Sequence, residues 1–236
     1  MTRLLPLLPL LLAACGAPPA PVATPSPEAV LPDDVRWVGT SAEYRAIVLQ
    51  TYRAATDAVR AAAAGRAPGS WAVILDADET ILDNSEHERR LARTGGSFSD
   101  ATWVPWVRER SAPVIPGAAE FIATVQRAGG VVAVVTNRAD SLCSDTRANL
   151  EAVGVRAEIV LCKPPGQSDK NPRFASVASG SADGAPGPLA VLAWLGDNIH
   201  DFPGRSQDDR DDPAALADFG RRWFVLPNPM YGSWQR

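Results

Sequence analysis

The stretch Trp71-Ala72-Val73-Ile74-Leu75-Asp76-Ala77-Asp78-Glu79-Thr80 is an apolar run that ends in two carboxylates one residue apart and then a hydroxyl. Ala72 to Leu75 is short, apolar and rich in branched side chains, the composition of a strand buried on both faces of a parallel sheet. Ligands of such sheets sit beyond the carboxyl ends of the strands. Two acids at i and i+2 repel each other unless a cation or a shared proton compensates them, so the arrangement is costly as scaffold and useful as chemistry. The plainer reading is a strand that runs into a solvated acidic turn, where Asp is common.

Two further apolar runs end in the same way. Val131 to Val135 leads into Thr136-Asn137-Arg138, and Ala190 to Leu195 leads into Gly196-Asp197-Asn198-Ile199-His200-Asp201. Between them lies Ser168-Asp169-Lys170-Asn171-Pro172-Arg173. In chain order these are a nucleophile-like Asp, a hydroxyl, a Lys and a final acidic pair, each after a strand or in a loop. The pattern predicts an α/β fold with one site gathering all four at the strand ends.

Six stretches, Ser41-Ala42-Glu43-Tyr44-Arg45, Asp76 to Thr80, Thr102-Trp103, Thr136-Asn137-Arg138, Gly196-Asp197-Asn198 and Asn228 to Trp234, resemble one family in their order and residues. From about Trp37 to the C-terminus the chain resembles the haloacid dehalogenase-like phosphohydrolases. Within them it is similar to the bacterial class C acid phosphatases, the lipoprotein e(P4) family of 5'-nucleotidases. The resemblance implies a Rossmann-like fold, a central parallel sheet flanked by helices with a small, mainly helical cap. It implies a magnesium-dependent acid phosphatase acting on a small phosphomonoester through an aspartyl-phosphate. Asp76 matches the nucleophile, and Asp78 the general acid that becomes the base activating water. Thr136 matches the residue that binds a phosphate oxygen. Lys170 matches the cation that neutralises the phosphoryl group and Asp76. Asp197, supported by Asp201, would hold magnesium with Asp76 and the backbone carbonyl of Asp78, an oxygen-only site suited to a hard cation. Asn137 and Arg138 fall among the substrate-binding positions.

Charge makes the metal necessary. The four aspartates bring about four negative charges, Lys170 returns one, and a phosphate monoester adds nearly two more. Without a divalent cation the substrate would be repelled. The chain has two lysines against twenty-one arginines, so a retained Lys suggests a need for a compact point charge. Lys163, at the end of the apolar run Ile159 to Cys162, is the rival to Lys170; Asp169 to Phe174 resembles the family's Lys-bearing stretch more closely.

Substrate choice is expected outside these motifs. The polar segment from Ser85 to Pro116 carries Trp103 and Trp106 and is too long for a plain loop, so a cap over about 85–115 is predicted. Trp103 and Tyr231 match family positions whose rings stack on a nucleobase, a sequence-tolerant way to hold a nucleoside. Trp106, Trp223 and Trp234 read as packing. His200 reads as tuning its loop, and His87 has no assigned role.

Arg3 precedes an apolar stretch, Leu4 to Leu12, too short to span a bilayer and of signal-peptide length. Leu12-Ala13-Ala14-Cys15-Gly16 reads as a lipobox: residues 1–14 form the leader, and Cys15 becomes a diacylated membrane anchor. An ordinary secreted protein cut nearby is the plainer reading. With Ala17 following Gly16, lipoprotein sorting favours the outer membrane of the cell envelope if the cell is Gram-negative. Residues 15–35, rich in Pro, Ala, Ser and Thr, read as a disordered tether. Residues 36–236 read as the phosphatase domain, with a helix from about Ser41 to Ala64 capped by Ser41 and closed at Gly65.

The net charge of −4 and the lack of a basic stripe exclude a nucleic-acid-backbone binder. Cys143 and Cys162 can form a bridge in an oxidising envelope or remain free thiols. An aromatic tail could pack across a homodimer. The expected function is hydrolysis of nucleoside 5'-monophosphates, nicotinamide mononucleotide among them. A broad phosphomonoesterase or phosphotransferase is the alternative of the same chemistry. A non-catalytic haem or adhesion lipoprotein on this fold is the alternative of a different class, and two histidines supply it thinly with ligands.

Overall fold

The computed structural model describes residues 31–235. The leader, Cys15 and most of the expected tether therefore lie outside the described residues. Where the tether was expected to reach Val35, a helix begins at α1 (Asp33–Thr40). Asp33 and Asp34 occupy its first turn, where the helix dipole favours them, and it buries Val35 and Val38. Its polar, Pro-flanked start hides a two-residue apolar anchor.

Ser41 ends α1 and caps α2 (Ala42–Ala63), its side chain accepting from the Tyr44 amide at 3.0 Å. Tyr44, Val48, Tyr52, Ala55 and Val59 recur at helical spacing and form the buried stripe of α2. Gly65 follows with a φ of 77°, the left-handed turn that stops the helix.

Among the described residues the sheet has five parallel strands, β1 (Trp71–Leu75), β2 (Val131–Ala139), β3 (Ile159–Lys163), β4 (Ala190–Gly196) and β5 (Trp223–Val225). Their order is β3-β2-β1-β4-β5, so β1 is central. Val73 pairs with Val132 on one side and Ala193 on the other, which places the ends of β1, β2 and β4 side by side. The period of two sorts the core into two layers. Trp71, Val73, Leu75, Val132 and Val134 face the layer that holds α1, α2 and α5 (Ala118–Arg127). Ala72, Ile74, Val131, Ala133, Val135 and Ile159 face Phe174 and Val177 of α7 (Asn171–Ser179) and the Phe202 and Trp223 rings.

Between β1 and α5 the chain forms α3 (Ser85–Thr94) and α4 (Asp100–Glu109), the two helices of the segment expected to cap the site. Between β2 and β3 lies α6 (Cys143–Ala152), and Cys143 is bonded to Cys162 of β3 across a Cα separation of 5.8 Å. The bridge, one of the two states open to these cysteines, ties the start of α6 to the strand beside β2. No helix among the described residues is long and apolar enough to cross a membrane.

Candidate active site

Asp76 follows β1 directly, its amide donating to the Leu195 carbonyl of β4, so its position is set by the two central strands. The chain then turns sharply: Ile81 and Leu82 both donate to the Ala77 carbonyl. Glu79 stands at φ 49°, a left-handed conformation rarely adopted by residues other than Gly. The turn sends the Asp76 and Asp78 side chains to different partners.

Asp76 is 8% exposed and faces Lys170, which is 3% exposed. The ammonium donates to Asp76 Oδ1 at 2.7 Å and to Asp201 Oδ1 at 2.6 Å. Ligand oxygens of Asp76, Asp197 and Asp201 lie within 4.8 Å of one another. Gly196 makes this approach possible, because a Cβ there would stand 2.3 Å from Asp201 Cβ. Asp201 also accepts from the Asn198 amide through Oδ2, closing a 3-10 turn over Ile199–Asp201. Asp197 accepts from Asn228 Nδ2 at 2.8 Å, which ties the C-terminal tail to the cluster.

Three carboxylates and one ammonium leave an excess of negative charge in a buried place. Burial pushes Asp76 up to about 7, with Asp201 and Asp78 adding to the shift and Lys170 opposing it. Burial likewise lifts Asp197 well above the usual carboxylate range, with Asp201 and Asp76 reinforcing it. Burial works against the Lys170 ammonium, but Asp201 and Asp76 outweigh it and raise its pKa. A divalent cation bound by oxygens fits this donor set, since it would restore near neutrality and hold the carboxylates ionised.

The Asp78 side chain lies outside this cluster. Its Oδ1 accepts from Arg138 Nε at 2.9 Å and Asn84 Nδ2 at 2.8 Å, and Arg138 Nη2 forms an ion pair with it at 2.8 Å. Arg138 is 1% exposed and its guanidinium also lies 5.4 Å from the Trp103 ring. Its Nε and Nη2 are engaged by Asp78 and Asn84, and its Nη1 has no hydrogen-bond partner among the described residues. Trp103 is half-buried and packs edge-on to His87 at 5.2 Å and beside Phe98 at 5.8 Å. Tyr231 is half-buried on the tail that Asn228 fixes, and no ring contact joins it to Trp103 among the described residues.

Thr136 is fully buried within β2, its hydroxyl accepting from the Arg138 amide. The strand runs past the apolar portion, so Thr136, Asn137 and Arg138 lie inside it rather than in a following loop. Asn137 donates to the Ser168 carbonyl and accepts from Arg173 Nη2, and Arg173 also donates to the Thr136 carbonyl. These bonds tie the Lys170 loop to the end of β2. Of the two lysines, Lys170 is the one buried among the acids, whereas Lys163 ends β3 and pairs through its backbone with Ala139.

Sequence reasoning passed over Arg173, Glu79 and Asn84. Arg173 sits one helical turn after Lys170, and that spacing is the signal that could have singled it out. Glu79 accepts both the amide and the side chain of Asn84, and burial raises its pKa well above the ordinary range. Asn84, four residues past Thr80, carried no sequence signal of its own.

The family model for the HAD superfamily, subfamily IIIB (acid phosphatase), matches residues 20–234. The class C acid phosphatase from Bacillus anthracis superposes with a TM-score of 0.76 at 29% identity, covering 86% of this chain and 85% of its own. A tungstate-bound structure of the class C acid phosphatase from the same organism gives a TM-score of 0.74 at 29% identity over the same shares. With its strand-end carboxylates and buried lysine on a five-stranded parallel sheet, the chain belongs to the HAD subfamily IIIB acid phosphatases and is a phosphoric monoester hydrolase.

Proposed function

We propose that the chain hydrolyses nucleoside 5'-monophosphates, nicotinamide mononucleotide among them, through an aspartyl-phosphate. The observation that carries this reading is the Lys170 ammonium held between Asp76 and Asp201 with Asp197 alongside. The Bacillus anthracis relative has a structure with tungstate bound, and tungstate is an oxyanion as phosphate is, which supports a phosphoryl-binding reading.

Asp76 Oδ attacks phosphorus in line, forming the O–P bond as the ester P–O bond breaks. The Asp78 carboxyl gives its proton to the leaving alkoxide. Asp78, now a carboxylate, takes a proton from water, the hydroxide attacks the aspartyl-phosphate, and the Asp76 O–P bond breaks to release phosphate. Lys170 stays protonated throughout and offsets the charge on the equatorial oxygens, with Thr136 as a second phosphate contact. Asp76, Asp197, Asp201 and the Asp78 carbonyl would hold Mg²⁺, which supplies charge neutralisation for the incoming dianion.

Trp103 and Tyr231 are the stacking residues of this reading, with the Arg138 guanidinium beneath Trp103 stiffening its ring. Residues 1–14 act as a leader, Cys15 carries the lipid, and the tether holds the domain at the cell envelope, in the outer membrane of a Gram-negative cell. The tail around Tyr231 and the exposed Trp234 offers an aromatic surface for a homodimer.

The test is phosphate release from 5'-nucleotides, 3'-nucleotides, sugar phosphates and an aryl phosphate, with and without Mg²⁺, between mildly acidic and neutral pH. Metal-dependent release favouring 5'-nucleotides is expected. Equal rates across the panel would remove the nucleotide preference and keep the phosphatase. Metal-independent release would remove the cation.

A further inference from the structure

Asn84 is fully buried between β1 and the two cap helices, and every bonding position of its side-chain amide is used. Nδ2 donates to Asp78 Oδ1 at 2.8 Å and Glu79 Oε2 at 3.1 Å. Oδ1 accepts from Trp106 Nε1 at 2.8 Å and Arg138 Nη2 at 3.2 Å. The amide's orientation is dictated by its partners: indole and guanidinium only donate, so they must meet the oxygen, and the carboxylates meet the nitrogen. Its backbone N–H adds a bond to Glu79 Oε1 at 2.7 Å, and its carbonyl accepts from His87 at the start of α3.

We infer that Asn84 is a positioning residue for Asp78, and that through Trp106 it makes the orientation of that carboxylate depend on the seating of cap helix α4. The inference rests on the role given above to Asp78 in proton transfer. Two donors, Arg138 Nε and Asn84 Nδ2, converge on Asp78 Oδ1, with the Arg138 Nη2 end of the guanidinium in ion-pair contact beside them. Oδ2 is left without a protein partner among the described residues, so it is the oxygen free to face the leaving group. A neutral amide is the group that serves two acceptors on one side and two donors on the other. An acid in its place would add a negative charge beside Asp78 and Glu79, and an apolar residue would strand buried polar groups. With all four bonding positions of the Asn84 amide engaged, the network fixes the Asp78 oxygen it holds.

Misaiming a proton donor harms a substrate in proportion to the basicity of its leaving group. This separates positioning from general structural damage, which lowers all rates together. The measurement is kcat/KM, which reports steps through loss of the leaving group. It is made on p-nitrophenyl phosphate, whose phenolate leaves with little help, and on an alkyl phosphate, either adenosine 5'-monophosphate or glycerol 3-phosphate according to which the wild type turns over. Asn84→Asp should lose about 100-fold on the alkyl ester and far less on the aryl ester. Trp106→Phe, which keeps the ring and removes one donor to Asn84, should show the same selectivity at roughly fivefold, and serves if the first variant does not fold.

Asp78→Asn is run in parallel. Selective loss in Asp78→Asn with uniform loss in both other variants would overturn the positioning role while leaving Asp78 in place. Uniform loss in Asp78→Asn would remove the proton-transfer role and this inference with it.

Discussion

Asp76 and Asp78 stand two residues apart on one turn, yet their surroundings are opposites. Asp76 belongs to a cluster with more negative charge than its single lysine offsets, and burial holds it up at about 7. Asp78 belongs to a network in which Arg138 and Asn84 converge on one oxygen, and the amide is used to capacity. The first arrangement is incomplete in a way that a cation and a phosphoryl dianion would complete. In the second, one oxygen of the carboxylate is already held by Arg138 Nε and the Asn84 amide. A site built to receive charge leaves charge unbalanced, and a group meant to be aimed is surrounded by fixed partners.

The largest expected break of this contrast comes from the cluster. Asp76→Asn should lower turnover by on the order of 10⁴-fold or more, with the fold retained by circular dichroism, because the attacking oxygen is replaced by an amide. Appreciable residual rate would remove Asp76 as nucleophile.

Lys170→Ala leaves Asp76 and Asp201 buried with no ammonium between them. Removing one partner of a buried pair typically costs about 3–5 kcal/mol, so the metal-free variant should melt well below the wild type. Added Mg²⁺ should recover part of the loss, and an unchanged melting temperature would mean that the pair is neutralised by other means.

On the cap side, Trp103→Ala should act on binding. One lost base stack corresponds to about 1–3 kcal/mol, read as a rise in KM for nucleotides with little change in KM for a small sugar phosphate. An equal rise for both would move Trp103 from substrate contact to support of Arg138.

The smallest effect is in pH dependence. Asp76 has a folded pKa near 7, above its ordinary value of 3.8. Its protonated form is therefore favoured by folding, and that stabilisation is full below the unfolded pKa and is lost as pH rises through about 7. Metal-free protein should lose stability between about pH 4 and 7, and saturating Mg²⁺ should flatten or reverse the slope. Denaturant midpoints with and without metal would show it; a metal-free slope of the opposite sign would place the governing charge outside the cluster.

Much of the architecture is legible in one dimension. Apolar runs with carboxylates at their ends describe buried parallel strands, because strand length and burial on both faces leave a signature in residue type. Ser41 and Gly65 mark α2 because capping is local. The start of α1 is less visible, since two buried valines in a Pro-rich surround give no periodicity. The cysteine bridge needed distance, which spacing does not encode.

By itself the sequence determined that the chain builds a parallel α/β sheet and places Asp76, Asp78, Thr136 and Asp197 at or near strand ends, in a family of phosphatases. Tertiary structure alone decided who holds each of them. Arg138 turns to Asp78 across 60 residues of chain, Lys170 to Asp76 across 94, and Asn84 joins Asp78 and Arg138 to a tryptophan 22 residues on. Strand and cap signals are written in local pattern, whereas the partner of a buried charge is settled by which side chains the packed layers bring within hydrogen-bond reach.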